Sequence, residues 1–530
     1  MTAQLLRSWV VHALPVWGAV TLTLLSGALL AVMPGAGAVL LLSGILFLGF
    51  LLLPWSVLLW GMLATAGFLV GPLQYAAGVS KAFWLPYLLA VLMGLRVLVN
   101  GLDHEPARLR DRSSEVPGLS AAEASMRTGG AALVGLAVVA LAASAVHQIG
   151  WMQMLIGGKE YLFLWSLPLA FAFGLLRLAH LQGLWKACAL WLAVQLVVVV
   201  WQRFVVAPRR GGDAPWDSVV GLFAGTAFGA GGSGSMALVS LWAAASVVMA
   251  WRGGLVSGRW ALLGLASALG ACALAEVKVA VLLLPVLAIA VLAGTDQPLT
   301  VMQQRHTRPM RGGGVGRGLG ILAALGVAAL LMWAHQHQFS AQGSHESRST
   351  LDYLQTTLDR NLDMQATPDE HGQLSRLGAL QYWWRRQSLS DMPGFLIGHG
   401  VGSVRRSHVS PGKLVQGLRF EPARSSMAVL LWETGLLGLL TWVGAFACWI
   451  GAAFALRRQS DCAAQRVSLR SAMVIMALAV FSLPYGADWF EAPHLAVATL
   501  LGVGIVWGAH RDARSVRPDG TTNRAPQGLA

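Results

Sequence analysis

The sequence predicts an all-α polytopic integral membrane protein, with about 12 to 14 transmembrane helices and one large extramembrane loop that contains short helices. Three observations predict this class. Of the 530 residues 56% are apolar, only 12% are charged, and apolar runs of membrane-spanning length recur from one end to the other. A water-soluble protein of this size carries about twice that fraction of charge.

The spans are placed by the length that crosses a bilayer, about 20 consecutive apolar residues. Pro54 and Pro72 interrupt the pattern around the third window, and Glu276 and Lys278 separate two short windows. The predicted spans lie near 10–33, 36–53, 55–71, 83–100, 129–147, 160–178, 184–206, 236–251, 259–274, 278–294, 319–334, 426–452, 471–488 and 493–510.

Positive charge in the short loops predicts the orientation. The formal net charge is +14, and Arg residues cluster in loops 101–128, 295–318 and 453–470 and in the tail after 510. Short loops rich in Lys and Arg stay in the cytoplasm. We therefore expect a multi-pass protein of the bacterial inner membrane with both termini cytoplasmic. The charge needs no nucleic-acid partner, since no aromatic and basic module accompanies it.

This orientation divides the chain into four parts. Residues 1–334 are N-terminal transmembrane helices, 335–424 form the large periplasmic loop, 425–510 are C-terminal transmembrane helices, and 511–530 are a disordered cytoplasmic tail. The loop is the expected place for chemistry. Within it, Ser349 and Asp352 suggest the start of one helix, and Ser375 is expected to cap a second that ends before Pro393.

Cofactor chemistry has little support in the sequence. Cys188, Cys272 and Cys448 lie in apolar runs and Cys462 in an Arg-rich loop, so a disulfide framework is not expected. No motif has the His and Cys spacing of a metal site. We predict neither a metal nor another cofactor.

Glu276 and Lys278 are ionisable groups between two apolar runs. At a helix centre each costs about 2.5–3.5 kcal/mol. Residues two apart do not share a helix face, so the two side chains are not expected to pair with each other. We predict a periplasmic turn between two short spans, with Lys278 facing a polar cavity.

Several motifs recur in a characteristic order. Loop 335–424 ends in an Arg-initiated amphipathic helix, a Pro and a Gly-x-Gly-x-Gly turn at 398–402, followed by Glu433-Thr434-Gly435 inside the next span. A Gly-Leu-Phe sequence at 221–223 precedes another span. This order and layout resemble the O-antigen ligase and O-antigen polymerase superfamily over about the C-terminal 60% of the chain.

The resemblance implies a membrane glycosyltransferase whose donor is an undecaprenyl-diphosphate-linked glycan. Such an enzyme acts at the periplasmic face in polysaccharide biosynthesis, with the lipid bilayer and other polysaccharide assembly proteins as further candidate partners. Because Arg forks bind phosphate oxygens bidentately, Arg376 and Arg424 are the first candidates for catalysis. Further candidates for binding the substrate diphosphate are Lys278, Arg209, Arg210, Arg405, Gly400 and Gly402. In the turn, backbone N–H groups would approach the phosphate.

At position 424 the sequence departs from the pattern of the family that it resembles. Many relatives have a His there that is thought to activate the acceptor hydroxyl, whereas this chain has Arg424. Arg stays protonated and is not a general base. Glu421 and His408 are therefore catalytic candidates, with His399 nearby. The departure favours a polymerase of exopolysaccharide or O-antigen repeat units over a ligase that transfers glycan to lipid A core or protein. A transporter and a non-enzymatic envelope scaffold remain open.

Overall fold

The computed structural model describes residues 53–103, 117–210, 218–223, 225, 232–292, 322, 325–330, 333, 374–387, 391–405, 411–416, 418, 420, 422–486 and 488–515. These residues form helices and connecting turns without any strand. Eight helices within this part of the chain are long and apolar enough to cross a membrane. The predicted spans near 10–33 and 36–53 and the first loop helix lie outside the described residues, as does most of the span near 319–334.

The helices are numbered here in chain order. They are α1 Trp55–Tyr75, α2 Leu85–Asp103, α3 Pro117–Val146, α4 Trp151–Leu162, α5 Ser166–Ala172, α6 Leu184–Trp201, α7 Ser233–Arg252, α8 Gly258–Leu274, α9 Lys278–Leu292, α10 Arg376–Gln387, α11 Met392–Ile397, α12 Ser426–Gln459, α13 Ala463–Ser482, α14 Asp488–Glu491 and α15 Pro493–Ser515. A π-helical segment, Gln202–Val206, and a short helix, Ala207–Arg210, extend α6.

Contacts between distant residues define two ends of the bundle. At one end, called the basic end, Arg514 on α15 pairs with Glu123 on α3, and Arg252 on α7 binds the Val291 carbonyl on α9. At the other, called the loop end, Ser426 binds Gly486. The predicted Arg-bearing loops thus begin and end at one end of the bundle, and the described part of loop 335–424 lies at the other.

One predicted span is displaced. The predicted window near 160–178 starts at Glu160, whereas the chain is already helical from Trp151 and continues through α4, a 3-10 turn at Phe163–Trp165, and α5. It runs from Ile149, beside Gly400 at the loop end, to Gly174, against Arg511 at the basic end. The predicted window leaves out Lys159 and the first turns of α4, which contain Gln153, Gly157 and Gly158. The fold places Lys159 and Glu160 inside the crossing, where each has a partner.

Boundaries near the C-terminal spans also differ from the prediction. Helix α12 continues to Gln459 and α13 begins at Ala463, so the predicted loop 453–470 is mostly helical. Arg470 is buried on α13 and binds the Ala290 carbonyl. The predicted span 471–488 ends at Ser482, where a turn containing Pro484 follows.

Candidate functional site

The Gly-x-Gly-x-Gly turn packs on a break in α12. Gly435 has φ 65° and ψ −168°, which interrupts the helix within its first third. The His399 N–H donates to the Trp432 carbonyl at 2.8 Å, and the Gly400 N–H donates to the Glu433 carbonyl at 3.0 Å. Carbonyls left unpaired by the break thus receive donors from the turn, as irregular backbone inside a bundle requires.

Close packing explains why this turn is rich in glycine. Gly398, Gly400 and Gly402 all have positive φ. A Cβ on Gly400 would lie 2.6 Å from a side-chain carbon of Ile149, and one on Gly402 would lie 2.6 Å from the Gln153 carbonyl oxygen. The Gly400 amide donates within the protein, and the predicted diphosphate contact of Gly400 stays a prediction. For Gly402 that contact stays a prediction as well.

Arg405 follows the turn and enters a buried cluster of charges. Its Nη2 lies 2.6 Å from Glu160 Oε2, and its Nε donates to Glu433 Oε1 at 3.2 Å. Its guanidinium also lies over the Phe490 ring, 4.8 Å from the centroid. Two carboxylates therefore contact this guanidinium, one at Nη2 and one at Nε. These contacts make Arg405 a link between the loop and the bundle, and its predicted binding of the substrate diphosphate stays a prediction.

Lys159 completes the cluster from α4. Its Nζ donates to Glu160 Oε1 at 2.5 Å and to the Ile156 carbonyl at 2.9 Å. Three aromatic rings surround the ammonium, with centroids 5.0 to 5.4 Å away; they belong to Phe83, Trp84 and Tyr87. Carboxylate and ring faces both stabilise a desolvated cation. The cluster therefore contains two positive and two negative side chains.

Glu433 is the most deeply enclosed member. It is fully buried, and its second oxygen, Oε2, accepts from the Tyr161 hydroxyl at 3.0 Å. The side chain lies seven residues after the start of α12, about 10 Å along the helix axis. An ion pair at this depth stabilises little by itself, but losing one member costs about 3–5 kcal/mol because the other charge stays buried.

Arg376 and Arg424 both adjoin the turn after α13. The Arg376 guanidinium lies over the Tyr485 ring, 4.0 Å from its centroid. Arg424 lies two residues before Ser426, whose N–H donates to the Gly486 carbonyl at 2.7 Å. Both Arg residues are half-buried. The fold thus brings the two first candidates for catalysis, 48 positions apart in the sequence, to one turn at the loop end.

Helix α10, which carries Arg376, forms as the sequence predicts. Ser375 Oγ accepts from the Gly378 N–H at 2.8 Å, and the helix ends at Gln387, before Pro393. Trp383 fixes the helix to α12, since its indole N–H donates to the Leu431 carbonyl at 3.2 Å. The predicted cap and the predicted helix end are both confirmed.

Glu421 and His408 lie outside the described residues, so their catalytic role stays a prediction. His399, the third candidate base, contacts Gln387 and lies 3.9 Å from Asp391. Burial, then the neighbouring His147 ring, lowers its pKa to about 4, with Asp391 opposing. Gln387 is eleven residues from Arg376 on α10, about 16 Å along the axis. His399 therefore contacts the end of α10 opposite to the one that carries Arg376.

The turn between α8 and α9 is confirmed. Glu276 has a positive φ in this turn and pairs with Arg203 at 3.0 Å. Lys278 is exposed and begins α9. Arg209 is exposed on the short helix that extends α6, and of Arg210 only the backbone is described. Their predicted contact with diphosphate is untested.

The Gly-Leu-Phe sequence forms a buried non-helical segment. Gln202 Oε1 accepts from the Val220 and Gly221 N–H groups, and Gln195 Oε1 accepts from the Leu222 N–H at 2.8 Å. Both glutamines are buried on the α6 span. Non-helical backbone at this depth is tolerated because these side chains satisfy its hydrogen bonds.

Sequence reasoning missed Lys159, Glu160, Tyr161 and Glu433 as a cluster. A signal was present, since Lys159 and Glu160 stand between apolar runs as Glu276 and Lys278 do, and intramembrane ionisable residues mark sites by default. The sequence does not show which of these side chains contact one another, because the contacts join positions up to 272 residues apart. Among the described residues, no group of three or more His, Cys, Asp or Glu is arranged to hold a metal ion.

No family model matches the chain, and no curated protein is significantly similar to it. The helices themselves define the class. Over the residues that the structure describes, the chain is all-α, and its eight long apolar helices are those of a multi-pass membrane protein.

Proposed function

We propose that this protein is a membrane glycan transferase that polymerises lipid-diphosphate-linked oligosaccharide repeat units of an exopolysaccharide or O-antigen. The observation that carries the proposal is the position of Arg376 and Arg424 at one turn, where a lipid-linked substrate would enter the bundle from its loop end. The order of motifs that resembles the ligase and polymerase superfamily gives the reaction class.

The chemistry needs charge stabilisation more than a cofactor. The acceptor hydroxyl oxygen bonds to the anomeric carbon of the donor, and the bond between that carbon and the diphosphate oxygen breaks. The lipid diphosphate leaves with the electron pair, and the hydroxyl proton passes to a base, for which Glu421 and His408 are the candidates. Arg376 and Arg424 would hold the phosphate oxygens as charge develops on them.

The Arg residues of the basic end support one orientation of the bundle in the membrane. The basic end carries exposed or half-buried Arg residues at every described connection; they include Arg127, Arg252, Arg259, Arg457, Arg458, Arg466 and Arg514. Such an end is cytoplasmic under the positive-inside rule. The loop end, with Arg376 and Arg424, would then face the periplasm across the bacterial inner membrane, where lipid-linked glycans are polymerised.

A second candidate function has a specific observation in its favour. A helix broken at Gly435 and charges buried beside the break are also features of transporters. A transporter would move its substrate without lengthening any glycan.

The test is the lipid-linked glycan profile of cells that lack this gene and carry wild type or Arg376→Lys in its place. A polymerase leaves single repeat units on the carrier in deleted cells, and only wild type restores long chains. Long chains that accumulate on the carrier in the deleted cells would instead indicate a ligase. An unchanged profile would overturn both enzymatic functions and return the transporter or scaffold to first place.

A further inference from the structure

The outer surface of α10 and α11 combines exposed aromatic and apolar side chains with exposed Arg. Trp384 is 60% exposed and Met392 is 45% exposed. Arg385 and Arg386 are exposed directly after Trp384. On the opposite side, Trp383 is buried and its indole is bonded to α12. One side of the helix pair thus packs on the bundle, and Trp384 stands on the other.

The exposed Trp is held in a defined position. Trp384 packs edge-on against Phe395 of α11, with ring centroids 5.8 Å apart, and Phe395 stacks on the buried Trp383 at 5.3 Å. The three rings form one cluster that begins in the core and ends at the surface. A large apolar side chain held rigid and exposed in this way needs an apolar or interfacial environment.

The neighbouring spans indicate what that environment is. Helix α11 packs on α3 and on α12 at the loop end. Helix α3 exposes Val134, Val138 and Leu141 along its length, and α12 exposes Leu440. In a chain of membrane-spanning helices these side chains face lipid tails. The pair α10 and α11 therefore lies where the lipid-facing surface of the bundle meets the headgroups.

We propose that α10 and α11 rest in the phospholipid headgroup layer, with Trp384 and Met392 at the interface and Arg385 and Arg386 on headgroup phosphates. Trp is enriched at this depth because its ring is apolar and its N–H is polar. Arg at the same level binds anionic lipid. The partner is the bilayer's own phospholipid, and the inference holds whether or not the protein transfers glycans.

Spin labels on the full-length protein test this placement. The four cysteines are first replaced, and Trp384→Cys and Met392→Cys are labelled separately in vesicles of phosphatidylethanolamine and phosphatidylglycerol. Leu440→Cys serves as the lipid control and Gln416→Cys, on an exposed turn, as the aqueous control. Power saturation then compares collisions with oxygen, which enters lipid, and with a water-soluble nickel chelate.

The proposal expects both labels to give an oxygen-to-nickel ratio between the two controls. Arg385→Gln combined with Arg386→Gln should shift the Met392→Cys label toward the aqueous control in vesicles containing phosphatidylglycerol. A ratio equal to that of Gln416→Cys at both positions would overturn the proposal. So would low accessibility to both reagents, which would mean that protein covers this surface. Two label positions keep the test valid if one variant does not fold.

Discussion

Arg405 donates through Nε to Glu433 Oε1 at 3.2 Å, and this bond joins a residue of the large loop to a fully buried carboxylate of α12. The same guanidinium reaches Glu160 on α4. One side chain therefore ties the loop to two helical segments at once. Because the cluster lies below the turn that Arg376 and Arg424 adjoin, it fixes the base of the candidate site.

Removing the charge of Glu433 should destabilise the whole chain. Glu433→Gln leaves Arg405 with one carboxylate, and we expect a loss of about 3–5 kcal/mol, as for a buried ion pair deprived of one member. Thermal unfolding of the purified protein in detergent measures this. Glu123→Gln is the control, since Glu123 pairs with Arg127 and Arg514 at a more exposed position and should cost at most about 1 kcal/mol. Equal shifts for both variants would contradict the account.

The turn should reject any side chain at its centre. Gly400→Ala places a Cβ against Ile149 and forces a positive φ on Ala, so we expect much less folded protein in the membrane. Gly444→Ala is the matched control, because Gly444 lies in α12 with no atom within 4 Å of its would-be Cβ. There Ala should be neutral or stabilise by up to about 1 kcal/mol. Equal yields of the two variants would show that the turn has room for a Cβ at Gly400.

Lys should not replace Arg in binding phosphate at the turn after α13. Arg376→Lys and Arg424→Lys keep the charge but lose the planar fork, so both should shorten the glycan chains at unchanged protein level. Chain length is read by gel analysis of the extracted polysaccharide. Arg259→Lys, exposed at the basic end, is the control and should leave chain length unchanged. Normal chains from both turn variants would mean that these Arg residues do not bind phosphate.

His399 should make stability depend on pH. Its folded-state pKa of about 4 lies below the usual value of about 6.5, so the unfolded chain binds the proton more readily. Stability should therefore fall as the pH drops from about 6.5 to about 4 and level off below. His399→Gln should flatten this part of the profile of melting temperature against pH. An unaltered slope in that variant would assign the dependence to other groups.

The sequence predicts most of the bundle because span length and Arg placement are local signals. Ser375 caps the start of α10, and the helix ends at Gln387, before Pro393, as predicted; Pro393 itself lies in the first turn of α11. The displaced span near 160–178 shows where local signals end. Hydropathy starts that span at Glu160 rather than at Trp151. The burial of Lys159 and Glu160 is tolerable because they pair with each other, Glu160 also pairs with Arg405, and aromatic rings surround the Lys159 ammonium.

The candidate site is predicted less completely for the same reason. The Gly-x-Gly-x-Gly turn is visible in the sequence, but whether its amides face a phosphate or the Glu433 carbonyl depends on a helix break thirty-odd residues later. Arg424 and Arg376 are found by charge and by the family resemblance. Their meeting at the Tyr485 turn depends on how α10 packs on α12, which no spacing rule reveals.

The most direct test of the proposed function is reconstitution. Purified protein in phospholipid vesicles is given a synthetic lipid-diphosphate-linked repeat unit, and the products are separated by length. A polymerase should produce a ladder of lipid-linked chains and release lipid diphosphate in step with each added unit, and Arg376→Lys should reduce both. Correctly folded wild-type protein that yields no ladder and releases no lipid diphosphate would contradict the account.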